Sequence, residues 1–223
     1  EESFSEIPSV TLDIGKQDRS LRCNNFAMLD QDADGDQELV LSLGSPYRGF
    51  AFLDLDNQGR LVITKKIRPD DLLVGSGLLY TAVVDYDNDG YEDVLAISPE
   101  GNTIKAQPFY NIGGIFDSGQ LIRKNFDGIS GILHNSFQLT DWDADGFKDV
   151  LASFRSGDII ALTLTPATLV IERVPVQPGP LTQIEIADFN QDTFKDLLML
   201  SSDINALTMV SGQDGGMESV QNV

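Results

Sequence analysis

An all-β chain built from four repeated, four-stranded sheet units is what this sequence predicts, and three observations predict it. A nine-residue pattern, Asp-x-Asp-x-Asp-Gly-x-x-Asp/Glu, recurs four times in 223 residues, its leading aspartates at Asp30, Asp85, Asp141 and Asp188, spaced by 55, 56 and 47 residues. Each copy lies between short apolar runs bounded by turn residues, which read as strands. No segment of useful length carries sustained helical periodicity.

In chain order, Val10-Thr-Leu-Asp-Ile14 comes first and reads as a lone strand; residues 7–14 are expected to strap the ring closed by completing the last unit. The first unit continues past its loop with Leu39-Val-Leu41, Arg48-Gly-Phe-Ala-Phe-Leu53 and Arg60-Leu-Val-Ile-Thr64. Asp54-Leu-Asp-Asn-Gln-Gly59 imitates the pattern but lacks acids at its fifth and ninth positions, so it reads as a plain hairpin turn. In the second unit, Thr81-Ala-Val-Val84 precedes the loop, and Val94-Leu-Ala-Ile97, Thr103-Ile-Lys-Ala106 and Leu121-Ile-Arg123 follow, with a connection at Gly113 and Gly114. The third has Phe137-Gln-Leu139, Val150-Leu-Ala152, Asp158-Ile-Ile-Ala-Leu-Thr163 and Leu169-Val-Ile-Glu-Arg-Val174. The fourth has Ile184-Glu-Ile186, Leu197-Leu-Met-Leu200 and Asn205-Ala-Leu-Thr-Met-Val210, then a weakly patterned tail, Met217-Glu-Ser-Val-Gln-Asn-Val223. Four-stranded units of this period predict propeller blades at about 20–67, 75–126, 131–175 and 180–223 within one domain spanning 1–223.

The loops carry the chemistry. Carboxylates at positions 1, 3 and 5 converge when a loop curls around one point, Gly at position 6 permits the sharp bend, the carbonyl of position 7 turns inward, and the acid at position 9 closes the cage. An all-oxygen set in a flexible loop suits Ca²⁺ better than Mg²⁺, which demands tighter octahedral geometry. An EF-hand is excluded, because the twelfth position holds Leu41, Ala96, Ala152 and Met199 where that loop needs Glu. The expected side-chain ligands are Asp30, Asp32, Asp34 and Glu38; Asp85, Asp87, Asp89 and Asp93; Asp141, Asp143, Asp145 and Asp149; and Asp188, Asn190, Asp192 and Asp196. The fourth loop is the outlier, with Asn190 in place of an acid and Thr193 in place of Gly. Three Ca²⁺ sites are expected, and a fourth is left open.

Charge agrees with this reading. Net charge is −20, and 15 of the 35 acids occupy loop ligand positions, leaving 20 against 15 bases elsewhere. The acidic excess argues against nucleic acid and anionic membrane surfaces, whose phosphates it would repel. No apolar run is long enough to span a bilayer. One cysteine and one histidine, Cys23 and His134, leave no material for an internal disulfide or a zinc cluster. Cys23 reads as a small buried side chain and His134 as a strand residue. The opening Glu-Glu-Ser-Phe-Ser-Glu reads as a processed or trimmed start rather than a signal peptide.

With their trailing Asp93-Val-Leu-Ala96 and Asp149-Val-Leu-Ala152, the loops resemble the FG-GAP/VCBS repeats of integrin α-like propellers, over residues of about 20 to 215. The family's Phe-Gly and Gly-Ala-Pro sequences are not evident, Gly44-Ser-Pro46 being the nearest trace. The resemblance implies Ca²⁺ ligands at the loop positions above, together with the carbonyls of Asp36, Tyr91, Phe147 and Phe194. Rings of that family resemble seven or eight blades, so this chain either closes with four or forms part of a larger ring completed by further blades or a partner.

The expected function is a non-catalytic, Ca²⁺-stabilised binding or adhesion module at an extracellular, cell-surface or periplasmic location, presenting loops to a protein partner. The alternative is a lectin or a polysaccharide-acting enzyme on the same scaffold. Tyr86, Trp142 and Phe189 recur at loop position 2, and recurrence with the loop points to packing. Tyr47, Tyr80 and Tyr110 lie outside that register and are the freer candidates for stacking on a glycan.

Overall fold

The computed structural model describes residues 23–44, 47–69, 79–129, 132–165, 168–176, 179–201, 206–213 and 216–222. The expected strap at 7–14 lies outside them. Every regular element among the described residues is a strand. The first sheet runs β1 (Cys23–Leu29), β2 (Glu38–Leu43), β3 (Gly49–Leu55), β4 (Leu61–Ile67). The second holds β5 (Tyr80–Val84), β6 (Asp93–Glu100), β7 (Thr103–Ile112), β8 (Ile115–Ser118) and β9 (Ile122–Asn125). The third runs β10 (Ile132–Thr140), β11 (Asp149–Phe154), β12 (Ile159–Thr165), β13 (Thr168–Arg173); the fourth runs β14 (Leu181–Ala187), β15 (Asp196–Ser201), β16 (Ala206–Gln213), β17 (Gly216–Asn222). All pairing is antiparallel between successive strands, with one exception: β8 and β9 both pair with β7.

That exception corrects the sequence reading of the second unit. β7 continues past Ala106 to Ile112, and the fourth strand is two short pieces, β8 on the far end of β7 and β9 on the near end. The break falls at Pro108 and Gly119. Pro108 has no N–H to give the ladder, and its carbonyl instead accepts the Gly119 amide at 2.9 Å. A Cβ on Gly119 would stand 2.7 Å from both the Pro108 and Tyr110 side chains, so only glycine fits there. The weakly patterned tail also forms a full strand, β17, which pairs with β16 from Thr208 to Gln213. The fourth sheet therefore has four strands among the described residues.

The second strands show why the post-loop runs are continuously apolar. In the second and third repeats positions 10 and 12 face the preceding sheet and position 11 the following one. Val94 and Ala96 pack with Val40, Phe50 and Phe52 of the first sheet, while Leu95 and Ile97 pack with Val150, Ala152 and Phe154 of the third. Leu151 then packs with Leu197 and Met199 of the fourth. A strand buried on both faces reads as an unbroken hydrophobic run rather than an alternating one, and every residue from Asp93 to Ser98 is buried. Phe50 meets Phe109 edge-on at 5.3 Å, and Phe52 stacks on Phe116 at 4.8 Å. Asn25 adds a polar joint, its amide donating to the Thr81 carbonyl at 2.9 Å and its oxygen accepting the Thr81 N–H at 3.0 Å. Sheets thus pack in series, first on second, second on third, third on fourth. A cleft of about 1060 Å³ opens between the first strands of the first three sheets, lined by Phe26, Met28, Tyr80, Phe137, Leu139 and Lys148 among others.

Candidate metal centres

Each repeated loop joins the first strand of its sheet to the second, so four bends of one kind sit at equivalent points. Their backbones match. Position 6 has positive φ in all four, at Gly35 (94°), Gly90 (93°), Gly146 (95°) and Thr193 (82°). Position 4 is also left-handed, at Ala33, Asn88, Ala144 and Gln191, with φ between 59° and 65°. A Cβ would meet nothing at Gly35, Gly90 or Gly146, so glycine is needed there for its φ and not for space.

The carboxylates shape these bends by accepting backbone amides. At position 1, Asp85 takes the N–H of Asp89 at 3.2 Å and of Gly90 at 3.1 Å; Asp30 and Asp188 do the same within their own loops, and Asp141 takes the Gly146 amide at 3.2 Å. At position 5, Asp34, Asp89, Asp145 and Asp192 each accept the amide two residues on, at 2.8–2.9 Å. At position 9 the acid reaches back to position 2, where Glu38 takes Gln31 N–H at 2.6 Å, Asp93 takes Tyr86 at 2.7 Å, Asp149 takes Trp142 at 2.8 Å and Asp196 takes Phe189 at 2.8 Å. The other oxygen of Asp93, Asp149 and Asp196 holds a third-strand amide, from Asn111, Leu164 and Gly212 respectively. These three aspartates are at most 1% exposed. In the last three loops position 9 thus ties the bend to the third strand, a role the spacing alone does not reveal.

In three loops the side chains of positions 1, 3 and 9 converge: Asp30, Asp32 and Glu38; Asp85, Asp87 and Asp93; Asp141, Asp143 and Asp149 each bring one oxygen apiece within 4.8 Å of the others. Such groups could hold a metal ion. Two buried oxygens, Asp87 Oδ1 and Asp141 Oδ1, have no hydrogen-bond partner among the described residues, which fits a site whose remaining partner is a cation. Asp34, Asp89 and Asp145 stand outside the triads. Electrostatics tell the same story. Burial pushes Asp93 and Asp149 up to about 6, against the lowering effect of their amide donors. Glu38, Asp87 and Asp143 are raised first by burial and further by neighbouring acids, Asp32, Asp89 and Asp145 respectively.

The fourth loop, among the described residues, forms no such triad. Asp188, Asp192 and Asp196 hold the backbone as their counterparts do, but the Asn190 amide nitrogen donates to Asp192 Oδ2 at 2.8 Å. Two polar residues that touch the loops escaped the sequence reading: Glu92, whose carboxylate accepts the Asp30 N–H at 2.8 Å, and Asn111. No repeated pattern marks either.

The other candidates are placed differently from expectation. Cys23 is exposed rather than buried, because it opens β1 beside a register shift, and its thiol donates to the Asn25 carbonyl at 3.3 Å. The side chain of His134 lies outside the described residues. The three freer tyrosines are engaged: Tyr110 meets Tyr86 edge-on at 5.3 Å, Tyr80 meets Phe137 at 5.5 Å, and Lys66 sits over Tyr47 at 5.5 Å. Of the position-2 aromatics, Tyr86 is buried and Trp142 packs on the core between the third and fourth sheets, while Phe189 is 44% exposed. The Asp54–Gly59 stretch is a hairpin turn in which Asp56 accepts the Gln58 and Arg60 amides and pairs with the Arg60 guanidinium. Compared with family models and with curated proteins, the chain matches none. No helix among the described residues is long and apolar enough to cross a membrane.

Proposed function

We propose that this chain is a non-catalytic, Ca²⁺-stabilised binding module of the FG-GAP/VCBS kind, with the ion in its first three loops. The observation that carries the reading is the convergence of three acids at the same bend of three successive sheets, each with its ninth-position acid holding the amide at position 2 of its loop. Oxygen-only donors in open, irregular loops favour Ca²⁺. Asp34, Asp89 and Asp145 and the carbonyls of Asp36, Tyr91 and Phe147 complete the proposed ligand sets. The ion's contribution is structural: it neutralises carboxylates that repel one another and fixes the turn from which each sheet is aligned. Loop affinities of the extracellular class would suit the millimolar Ca²⁺ found outside cells. The cleft between the first three sheets is the proposed seat of a protein partner, since it presents Phe26, Met28 and Leu139 at 68%, 49% and 45% exposure. Thermal melting tests the reading. EGTA is expected to lower Tm by several degrees and added Ca²⁺ to restore it, since a ligand at about 100 times its Kd adds about 2.7 kcal/mol per site. An identical melt in EGTA and in Ca²⁺ would overturn it.

A further inference from the structure

Resting on the metal reading, we propose that Glu92 and Asn111 are positioning residues that join the first and second loops into one coupled cation-binding unit. The join has two strands. Glu92, at position 8 of the second loop, accepts the backbone N–H of Asp30, the leading acid of the first loop, at 2.8 Å. Asn111, 1% exposed, sits near the end of β7 and turns its backbone N–H, its side-chain amide nitrogen and its side-chain oxygen to the same junction. Its N–H donates to Asp93 of the second triad at 2.6 Å. Its amide nitrogen donates to the Gln31 carbonyl of the first loop at 2.7 Å and to the Glu92 carbonyl at 3.1 Å, and its side-chain oxygen accepts the Gly114 amide at 2.8 Å. Gln31 lies between Asp30 and Asp32, two members of the first triad. One buried residue thus links, through its backbone N–H, a carboxylate of one cage and, through its side-chain amide, the backbone between two carboxylates of the other.

The turn that carries Asn111 is itself pinned to the first sheet. Lys65 of β4 donates to the Gly114 carbonyl at 2.9 Å and lies over Phe116, which stacks on Phe52. The junction therefore has little freedom to move with only one of its partners. The third and fourth repeats lack the chemistry for it. Where the second sheet has Asn111 donating to its ninth-position acid, the third has Leu164 and the fourth Gly212, whose side chains cannot bridge. Where the second loop has Glu92, the third and fourth have Lys148 and Lys195, which cannot accept an amide proton. Ordering one of the first two loops around an ion pre-orders its neighbour, so the second ion finds part of the entropic cost already met and binds more tightly. Linkage makes the effect reciprocal.

Calorimetric Ca²⁺ titration of the full chain carrying Asp143→Lys tests this, because that change puts a cation in the third cage and leaves the coupled pair. The expected isotherm is steeper than simple binding, and adding Asp87→Ala, which removes the second loop's third-position oxygens, weakens the remaining first site by about fivefold or more, the lower range of ordinary coupling. Glu92→Ala is expected to abolish the steepness and Glu92→Gln, which keeps an acceptor, to retain it; Asn111→Leu, which copies the third sheet, should act as Glu92→Ala does. If Asn111→Leu fails to fold, the Glu92 pair decides. Ca²⁺ heat with a simple isotherm and an unmoved first site would overturn the coupling and leave the metal reading standing. No Ca²⁺ heat in the unsubstituted chain would overturn the metal reading itself.

Discussion

The second and fourth loops have nearly the same backbone and different chemistry. In both, position 1 caps two amides, position 5 caps one, and a buried position 9 clamps the bend to the third strand. Both hold a non-glycine residue at positive φ in position 4, Asn88 and Gln191. Yet the second loop brings three carboxylates together with one oxygen unpaired, while the fourth turns an amide onto Asp192 and forces Thr193 to φ 82°. The bend is therefore a hydrogen-bonded object first. Carboxylates accepting backbone amides set its shape whether or not their charges crowd, and the charge count decides whether a cation has anything to do there.

The comparison is tested most severely at position 9. Asp93→Ala strips two backbone amides of their acceptor and Asp196→Ala three, and each is expected to cost on the order of 2–5 kcal/mol in chemical denaturation. Equal losses would show the clamp working alike in both loops. A cost below about 1 kcal/mol for Asp196→Ala would break the claim that the fourth bend is held by hydrogen bonds.

Next comes pH. Because burial raises the folded-state pKa of Asp93 and Asp149 to about 6, above the ordinary carboxylate value, the cation-free fold favours the protonated acids. Its stability from these groups is present at low pH and is lost as pH rises from about 4 through 6. Ca²⁺ needs the deprotonated acids, so its stabilising effect grows over the same window. The Tm difference between Ca²⁺ and EGTA is expected to be larger at pH 7.5 than at pH 5; a difference independent of pH would separate the ion from these carboxylates.

The smallest effect lies in the fourth loop. A β-branched residue in the left-handed region costs about 1–2 kcal/mol, so Thr193→Gly is expected to raise stability by about 1 kcal/mol in urea unfolding. Combined with Asn190→Asp, it restores the full pattern, and Ca²⁺ stoichiometry by calorimetry should rise from three to four. A stoichiometry of four in the unsubstituted chain would erase the difference between the loops.

Much of this architecture is written locally. A hairpin bend needs turn chemistry within a few residues, so Asp30 to Glu38 and its three relatives could be recognised one by one, and apolar runs such as Val94 to Ile97 declare a strand covered on both faces. What stayed hidden depends on neighbours distant in the chain. The extension of β7 through Pro108 is possible because Gly119 supplies the missing partner. The exposed Cys23 follows from a register shift, and the three tyrosines are occupied by rings and a lysine brought in by folding. Position 4 of each loop is left-handed at Ala33, Asn88, Ala144 and Gln191, where residue type gives little warning.

By itself, the order of residues determined that four acidic bends would each join two strands of an antiparallel sheet, because repetition, alternation and turn chemistry act over short distances. Only the tertiary structure decided that the ninth acid of the last three loops ties the bend to the third strand, that three bends gather carboxylates while the fourth bridges its own, and that Asn111 reaches from one bend to the next. Those outcomes hang on burial and on contacts between residues up to 80 positions apart, and burial is what turns a solvated carboxylate or amide into a fixed joint.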